Sequence, residues 1–308
     1  MASALEGQVA IVTGGGRGLG RAFALHLAEL GAAVVVNNRN RVVDADGLGP
    51  ADHVVAEIRA AGGAAVANHD DVADPRTGSR LVATAIEEFG RLDICVTSAA
   101  VSSPQILHKT TPENLAQVLA INVTGTVLIA SAAMAHLRAQ GSGRLILVAS
   151  TAGLHGEPTA SAYAASKGAV IAFGRTAAAE GANRGVLTNV LLPYATTQMT
   201  EKGMDPRHAT AMRSDLVAPV VGALADPRAT LNGQVLVVAG SVLRAADAVE
   251  WGTVAYDASR PLTPEGLAGL VDASRAAQPR AYPFAQAAFQ SLAAEATELF
   301  AAHTSDPN

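Results

Sequence analysis

Tyr163 and Lys167, four residues apart in the stretch YAASK, are placed to do chemistry together. Because a helix brings residues i and i+4 onto one face, both side chains share a face of the helix predicted over residues 161–181. A lysine ammonium beside a phenol stabilises the phenolate and lowers a pKa that is otherwise about 10. Such a tyrosine can exchange a proton with a carbonyl or alcohol oxygen near neutral pH. The same spacing also occurs in ordinary amphipathic helices, so it needs support from other positions.

Two further polar residues strengthen this hypothesis. Ser150 ends the strand predicted over residues 144–150. The carboxyl ends of parallel strands are where ligand sites form. Asn122 interrupts the long helix predicted over residues 111–138. Asparagine is a poor choice inside a helix, which indicates a structural water or a strained turn there.

A glycine-rich loop, TGGGRGLG at residues 13–20, joins the first predicted strand to the first predicted helix. Glycines in such a loop permit a tight turn, a close approach of backbone N–H groups to a pyrophosphate, and close packing of helix on strand. The helix N-terminus then favours an anion. A bare glycine cluster can also be an ordinary tight turn. The strand before it, the helix after it and a second strand end about 20 residues later favour a dinucleotide site.

The residues at that second strand end bear on which dinucleotide binds. A carboxylate there would hydrogen-bond the ribose 2′-hydroxyl of NAD and repel a 2′-phosphate, but this chain has Asn38 followed by Arg39. A guanidinium binds phosphate oxygens through charge-assisted hydrogen bonds. We therefore expect NADP, with NAD as the less favoured cofactor. Two alternatives stay open. Arg39 and Arg41 could be solvated loop charges, or Asp44 or Asp46 could fold back onto the ribose.

Short β-branched runs alternate with helical stretches through residues 1–245. Strands are predicted at residues 9–13, 33–37, 64–68, 92–97, 144–150, 187–192 and 234–238. This alternation builds a parallel sheet with helices on both faces. The predicted fold class is α/β, a single Rossmann-type doubly wound parallel sheet of about seven strands. Residues 246–308 are predicted to form a helical C-terminal extension that packs on the same domain or on a partner subunit.

Composition argues against several classes of partner. The net charge of -5 does not suit a nucleic-acid groove, which needs a basic stripe. No continuous apolar run approaches the ~20 residues of a membrane span, and the N-terminus lacks a signal-peptide pattern, so we expect no membrane partner and a cytoplasmic location. Cys95 is the single cysteine, which excludes an intrachain disulfide. His108, His155 and Glu157 lack metal-ligand spacing, and we expect no metal.

In order and spacing, these motifs resemble the short-chain dehydrogenase/reductase family over about residues 5–240. The resemblance implies that Tyr163 is the general acid/base, that Lys167 binds the nicotinamide ribose and lowers the tyrosine pKa, and that Ser150 hydrogen-bonds the substrate oxygen. It also implies that Asn122 holds a water of a proton relay. The implied cofactor-binding residues are Thr13, Gly14, Gly16, Arg17, Gly18, Leu19, Gly20, Asn38, Arg39, Asp71, Val72, Ser98, Ala99, Lys167, Pro193 and Thr196. Among them, Asp71 and Val72 would contact the adenine.

A narrower resemblance lies in residues 41–72 and 249–274, which are similar to the (3R)-hydroxyacyl-CoA dehydrogenase portion of peroxisomal multifunctional enzyme type 2. Three positions depart from the family pattern. Ser98 stands where the family usually has asparagine, and it can replace part of the hydrogen bonding. Ala100 replaces a glycine and adds a methyl group beside the cofactor. Tyr194 replaces the glycine after the proline and could close the pocket, stack on an aromatic substrate or pack under a lid predicted over residues 196–213.

The leading prediction is an NADP(H)-dependent ketone reductase or alcohol dehydrogenase that acts on a bulky or acyl-type carbonyl, in specialised biosynthesis or acyl-thioester metabolism. Ser150, Tyr163 and Tyr194 would face the substrate. The alternative keeps the fold but removes the redox step. Because of Ala100 and Tyr194, the protein could bind NADP(H) as an isomerase, a cyclase or a cofactor-gated binding module. The resemblance also implies a homodimer or homotetramer built on the two long helices.

Overall fold

The β-branched and apolar runs of the first 246 residues form one sheet of eight strands. The computed structural model describes residues 3–39, 43–45, 47–197 and 206–304. The strands are β1 Val9–Thr13, β2 Ala33–Asn37, β3 Ala65–Asn68, β4 Ile94–Thr97, β5 Gly143–Val148, β6 Val186–Tyr194, β7 Val235–Ala239 and β8 Val242–Ala246. Their order across the sheet is β3-β2-β1-β4-β5-β6-β7-β8, and all neighbours are parallel except β7 and β8. The predicted Rossmann-type sheet is confirmed, with one more strand than the seven predicted.

The extra strand, β8, lies antiparallel at the sheet edge and is exposed over most of its length. A strand that is not buried on both faces needs no continuous apolar run, so the sequence pattern did not reveal it. The turn that leads into β8 contains Gly240 with a φ of +53°. Glycine adopts this left-handed conformation without steric cost.

Helices cover both faces of the sheet. They are α1 Gly18–Glu29, α2 Pro50–Ala60, α3 Thr77–Phe89, α4 Pro112–Leu119, α5 Thr126–Gln140, α6 Ala152–His155, α7 Ser161–Gly181, α8 Pro206–Ala209 and α9 Ala218–Ala225. One hydrophobic core joins the sheet to α1, α2 and α9, and a second joins it to α3, α5 and α7. Alternate residues of each strand enter opposite cores. Val34 and Val36 of β2 lie in the first core, and Val35 lies in the second.

A π-helical segment, Ala120–Gly125, joins α4 to α5 without a break, so the helical stretch is continuous from Pro112 to Gln140. This stretch is long and apolar enough to cross a membrane by length and composition alone, and 44% of its most apolar window is buried inside the fold. Polar residues interrupt the apolar runs within this stretch, but the helix as a whole is apolar, and the absence of a membrane partner stays a prediction. Five of the buried apolar residues of this stretch belong to the core shared with α3 and α7, namely Ile121, Ile129, Ala130, Ala133 and Leu137.

The second compact unit comprises residues Asp247–Asn308. It contains the antiparallel strands β9 Val249–Glu250 and β10 Arg280–Ala281 and the helices α10 Pro264–Arg275 and α11 Ala285–Thr304. Thr263 caps α10 by accepting a hydrogen bond from the Gly266 amide at 3.1 Å. The strand pair was not predicted, since strands of two residues carry no periodic signal. The packing of this unit on the domain or on a partner, and the predicted oligomer, stay predictions.

The contact between α7 and β6 generates a stability prediction. An added Cβ at Gly174 would overlap Cγ2 of Val190, which is 1% exposed and stiff because it is β-branched. Gly174→Ala should lower the free energy of unfolding by about 1–3 kcal/mol, measured by urea denaturation. The control is Gly168→Ala in the same helix, where the added Cβ would lie at an ordinary 3.4 Å from the Gly153 carbonyl oxygen. Equal losses in both variants would contradict the packing argument.

Candidate active site

A pocket of about 390 Å³ opens at the carboxyl ends of the central strands, where the strand order reverses between β1 and β4. Ligand sites of open α/β sheets form at such switch points. The pocket is lined by Gly14, Arg17, Gly18, Leu19, Gly20, Asn37, Asn38, Arg39, Asp70, Val72, Ser98, Ala99, Ala100, Val101, Ile121, Val148, Ala149, Tyr163, Lys167, Pro193, Ala195 and Thr197. It therefore gathers the glycine loop, the residues after β2 and the Tyr163–Lys167 pair in one cavity.

The glycine loop approaches the segment that follows β4. Gly14 has a φ of +65°, and a Cβ there would lie 2.8 Å from Cα of Ala99, so only glycine fits. Gly16 does not line the pocket. An added Cβ at Gly16 would lie 2.7 Å from Cβ of Pro50, so this glycine permits packing on α2.

The first turn of α1, residues 18–20, follows the glycine loop in the chain and also lines the pocket. The first N–H groups of a helix have no acceptor within the helix, and the helix dipole adds partial positive charge at this end. The turn can therefore bind an anionic group such as a pyrophosphate.

Thr13, at the end of β1, holds the backbone beside the pocket. Its hydroxyl oxygen accepts hydrogen bonds from the amides of Ser98 at 3.1 Å and Ala99 at 3.2 Å. Thr13 itself does not line the pocket, whereas Ser98, Ala99 and Ala100 do. The Ser98 hydroxyl makes no hydrogen bond to the described residues, so the expected replacement of the family's asparagine by this hydroxyl is not seen among them.

Asn38 and Arg39 line the opposite end of the pocket. Nη1 of Arg39 donates to Oδ2 of Asp71 at 2.7 Å, and both side chains are part-buried. Nδ2 of Asn38 donates to the Arg39 carbonyl oxygen at 3.1 Å. Val72 and Asp71 were also predicted to contact the adenosine. Val72 lines the pocket, whereas Asp71 does not line it and is linked to it by the hydrogen bond from Arg39. This end combines a neutral amide with a guanidinium that is already ion-paired.

The structure decides between some of the alternatives that the sequence left open for the charged residues after β2. Asp44 pairs with Nε2 of His53 at 3.0 Å and does not line the pocket. Arg41 and Asp46 lie outside the described residues. Arg39 is not a solvated loop charge, because it lines the pocket and is ion-paired.

Asn37 and Asp70 line the pocket without having been predicted. Nδ2 of Asn37 donates to Oδ1 of Asn68 at 2.8 Å and to the Asp70 carbonyl oxygen at 3.0 Å. These bonds join the ends of β2 and β3. In the sequence, Asn37 is the polar residue that ends the apolar run AVVVN, and this position could have indicated a pocket residue.

Helix α7 carries Tyr163 and Lys167 on the face that lines the pocket. Lys167 is 3% exposed, and its Nζ donates to the Val148 carbonyl oxygen at 2.9 Å. The same Nζ lies 5.7 Å from the centroid of the Tyr163 ring. Burial lowers the pKa of Lys167 to about 8. Burial also raises the pKa of Tyr163 above its ordinary value, and this outweighs the opposing hydrogen bond with Ser150.

Ser150 lies beside the phenol just beyond the end of β5. Its hydroxyl acts on the Tyr163 phenol and lowers the pKa of that group, while its oxygen accepts a hydrogen bond from the Ala152 amide at 3.2 Å. The backbone of α6 thus orients the hydroxyl. The predicted pair of Ser150 and Tyr163 is brought together.

Asn122 lies in the π-helical segment and is fully buried. Its Oδ1 accepts from the Val101 amide and its Nδ2 donates to the Val101 carbonyl oxygen, both at 2.9 Å. Nδ2 also donates to Oγ of Ser166 at 3.0 Å. The irregularity of the long helix at Asn122 is thus a π-helical turn. The strain and the water predicted at this position stay predictions.

The segment after β6 differs in detail from the prediction. Pro193 and Thr197 line the pocket, whereas Thr196 does not and donates its amide to the Met212 carbonyl oxygen at 2.7 Å. Tyr194 is 46% exposed, and its hydroxyl accepts from Oγ1 of Thr151 at 2.7 Å. Residues 198–205 of the predicted lid lie outside the described residues.

The other titratable residues that the sequence singled out do not line the pocket. His108, His155 and Glu157 are exposed. Within residues 3–39, 43–45, 47–197 and 206–304, no three His, Cys, Asp or Glu side chains come together as a metal site. Cys95 is buried in β4, and burial raises its pKa to about 12, which makes the thiol unreactive.

The residues present fit a nicotinamide dinucleotide. The first turn of α1 lines the pocket and offers N–H groups to an anion. Lys167 donates to a single acceptor among the described residues, so two further N–H bonds of its ammonium group can reach ribose hydroxyls. The pocket connects these donors with Arg39 at its far end.

Burial of Lys167 predicts a pH-dependent contribution to stability. Its pKa falls from 10.5 to about 8, so between these pH values the unfolded chain binds a proton that the folded protein has released. The contribution of this group to the free energy of unfolding therefore rises with pH across that interval. The stability difference between the wild type and Lys167→Met should rise by up to about 3 kcal/mol, measured by urea unfolding at several pH values.

We compare the wild type with the variant because the raised pKa values of Tyr163 and Cys95 make the free energy of unfolding fall with pH. These two groups are present in both proteins, so their contributions cancel in the stability difference. Lys109→Met is the control, since Lys109 is exposed. A difference that stays flat from about pH 8 to about pH 10.5 would show that the Lys167 ammonium is well solvated.

Comparison with known proteins identifies the family. Residues 8–207 match the family model described as short chain dehydrogenase. The peroxisomal multifunctional enzyme type 2 of Drosophila melanogaster is 39% identical over 230 residues, which are 74% of this chain and 38% of that enzyme. A 3-oxoacyl-[acyl-carrier-protein] reductase of Synechocystis sp. is 40% identical over 200 residues, which are 65% of this chain and 78% of the reductase.

A solved structure agrees with these relationships. The crystal structure of a short chain dehydrogenase from Mycobacterium avium matches with a TM-score of 0.78 and 32% identity, over 91% of this chain and 98% of that one. The resemblance to the family, and to the dehydrogenase part of multifunctional enzyme type 2, is thereby confirmed. The chain belongs to the short-chain dehydrogenase/reductase family and is an oxidoreductase of the kind that uses NAD or NADP.

Proposed function

We propose that this protein is an NADP(H)-dependent ketone reductase or alcohol dehydrogenase for a bulky or acyl-type carbonyl substrate. The observation that carries the proposal is that Tyr163, which lies next to Ser150 and the buried Lys167, lines the same pocket as Arg39. A proton donor at one end and a cation at the other suit a dinucleotide that bridges them. We assign Tyr163, Ser150, Lys167 and Asn122 to the catalytic constellation.

In this reaction the bound cofactor supplies a hydride to the carbonyl carbon, and the protein supplies the proton. Tyr163 donates its phenolic proton to the carbonyl oxygen while Ser150 donates a hydrogen bond to the same atom. Because burial raises the pKa of Tyr163, the phenol is protonated at neutral pH and acts as an acid in the direction of reduction. The charged form of Lys167, 5.7 Å from the ring centroid, stabilises the phenolate that remains.

The adenosine end of the pocket supports NADP over NAD. Asn38 carries no charge that would repel a 2′-phosphate, and Arg39 lines the same wall. Arg17 also lines the pocket, is exposed, and has no ion-pair partner in the described part of the chain. Two guanidinium groups beside one neutral amide suit a doubly charged phosphate.

The relatives support an acyl-type carbonyl as substrate. One is named a 3-oxoacyl-[acyl-carrier-protein] reductase, and another a peroxisomal multifunctional enzyme. The chain spans 38% of the multifunctional enzyme's length, so what that whole enzyme does is not carried over. Tyr194 adds an exposed ring held by Thr151, next to Ser150. We assign this ring to the substrate wall.

Replacement of the proton donor tests the mechanism. Tyr163→Phe should lower turnover of NADPH with a responsive ketone by at least about 100-fold, because a general acid contributes about 100- to 10,000-fold. The affinity for NADPH should change little. The assay follows the absorbance of reduced nicotinamide with acetoacetyl-CoA, ethyl acetoacetate and 1-tetralone, and calorimetry gives the affinity. Retained turnover would contradict the role of Tyr163, and product formation without loss of reduced nicotinamide would favour the non-redox alternative.

The role of Tyr194 is tested with two variants of the same residue. Tyr194→Phe keeps the ring and loses only the hydrogen bond with Thr151. We expect Tyr194→Ala to raise the KM for 1-tetralone about fivefold, because an aromatic contact contributes about 1 kcal/mol, whereas Tyr194→Phe stays within about twofold. The kcat values should change less than the KM values. Equal KM values in all three proteins would remove Tyr194 from the substrate wall.

A further inference from the structure

We propose that Asp71 sets how strongly the adenosine end of the pocket prefers a 2′-phosphorylated nucleotide, and that it does so through its ion pair with Arg39. The proposal rests on the proposed function, since it concerns the choice between NADP and NAD. From the sequence, the two residues were expected to make separate contacts, Arg39 with the 2′-phosphate and Asp71 with the adenine. The structure joins them at 2.7 Å.

Asp71 is held firmly by its own backbone surroundings. Its Oδ1 accepts from the Ala73 amide at 3.0 Å, which closes an Asx turn, and its carbonyl oxygen accepts from Oγ1 of Thr77 at 2.6 Å. The other carboxylate oxygen, Oδ2, accepts from Nη1 of Arg39. A fixed carboxylate therefore holds the end of a long and otherwise adaptable side chain.

This ion pair works against a phosphate in two ways. A guanidinium offers its hydrogen bonds in a fixed fork, and the bond from Nη1 to Asp71 occupies part of that fork. A phosphate placed on the remaining N–H groups also lies close to the carboxylate, which repels it. The side chains of Arg39 and Asp71 are 27% and 38% exposed, so solvent weakens this repulsion but does not remove it.

The neighbouring carboxylate, Asp70, is less suited to this role. It lines the pocket, but its Oδ1 accepts from Nη1 of Arg80 at 2.9 Å, which balances its charge locally. Arg80 does not line the pocket. Among the described residues, Asp71 is thus the carboxylate tied to a guanidinium that faces the nucleotide.

The experiment uses Asp71→Asn in the full-length protein. Asparagine keeps the Oδ1 acceptor and therefore the Asx turn, but it removes the charge. Calorimetry gives the Kd of adenosine 2′,5′-bisphosphate and of adenosine 5′-phosphate, and the ratio of the two reports the 2′-phosphate alone. We expect the preference for the bisphosphate to rise about tenfold in Asp71→Asn, the size expected for removal of one part-screened charge.

A double-mutant cycle tests the route through Arg39. In the Arg39→Gln background, Asp71→Asn should leave the preference unchanged within about twofold. The matched control is Asp74→Asn, because Asp74 forms the same kind of turn with the Arg76 amide at 2.9 Å but does not line the pocket. This control should also stay within about twofold of the wild type.

Two results would overturn the proposal. One is a preference that is unchanged or lower in Asp71→Asn, which would mean that the carboxylate orients Arg39 productively or acts elsewhere. The other is a gain that persists in the Arg39→Gln background, which would mean that Asp71 acts without the ion pair. No turnover is measured, so absence of ketone reduction would refute the proposed function and leave this test intact.

Discussion

Burial of the Lys167 ammonium group is the constraint on which the rest of the pocket depends. A charge that is 3% exposed must have a polar partner, and here the partner is the Val148 carbonyl oxygen at the end of β5. That bond fixes α7 against β5 and thereby places Tyr163 beside Ser150. Close packing makes the approach possible. An added Cβ at Gly153 would lie 2.5 Å from the Gly168 amide nitrogen, so α6 and α7 meet backbone to backbone.

Asn122 extends this arrangement to the neighbouring elements. One buried side chain bonds both backbone groups of Val101 and the hydroxyl of Ser166, and that hydroxyl donates to the Tyr163 carbonyl oxygen at 2.7 Å. The π-helical turn is the local distortion that brings the amide into reach, and such turns occur often at functional sites. The helical stretch from Pro112, the segment after β4 and α7 are therefore held to one another by a single residue.

The two ends of the pocket obey different electrostatics. At the Tyr163 end, burial raises the pKa of the phenol and lowers that of the lysine, so both groups are sensitive to small changes in packing. At the Arg39 end, the charges are part-exposed and paired, so solvent screens them. The proton transfer that we propose would therefore take place at the buried end, and the proposed choice of nucleotide at the part-exposed end.

The sequence alone was sufficient for the sheet, the glycine loop and the grouping of Tyr163 with Lys167. Each of these features follows from a local periodicity or from a short spacing between residues. The carboxyl ends of neighbouring parallel strands then lie at the same edge of the sheet. The exposed strand β8 and the two-residue strands carry no such pattern. The family resemblance implied roles for Ser150 and Asn122, but it did not show that the side-chain amide of Asn122 is hydrogen-bonded to Val101 and Ser166.

Only the tertiary structure decided how the polar groups pair. The Thr13 hydroxyl accepts a hydrogen bond from the Ser98 amide across a separation of 85 residues, and Arg39 pairs with Asp71 across a separation of 32 residues. Burial, rather than the nearby lysine, governs the pKa of Tyr163. These outcomes depend on distances and solvent exclusion between segments remote in the chain, and neither quantity is encoded in the spacing of residues along it.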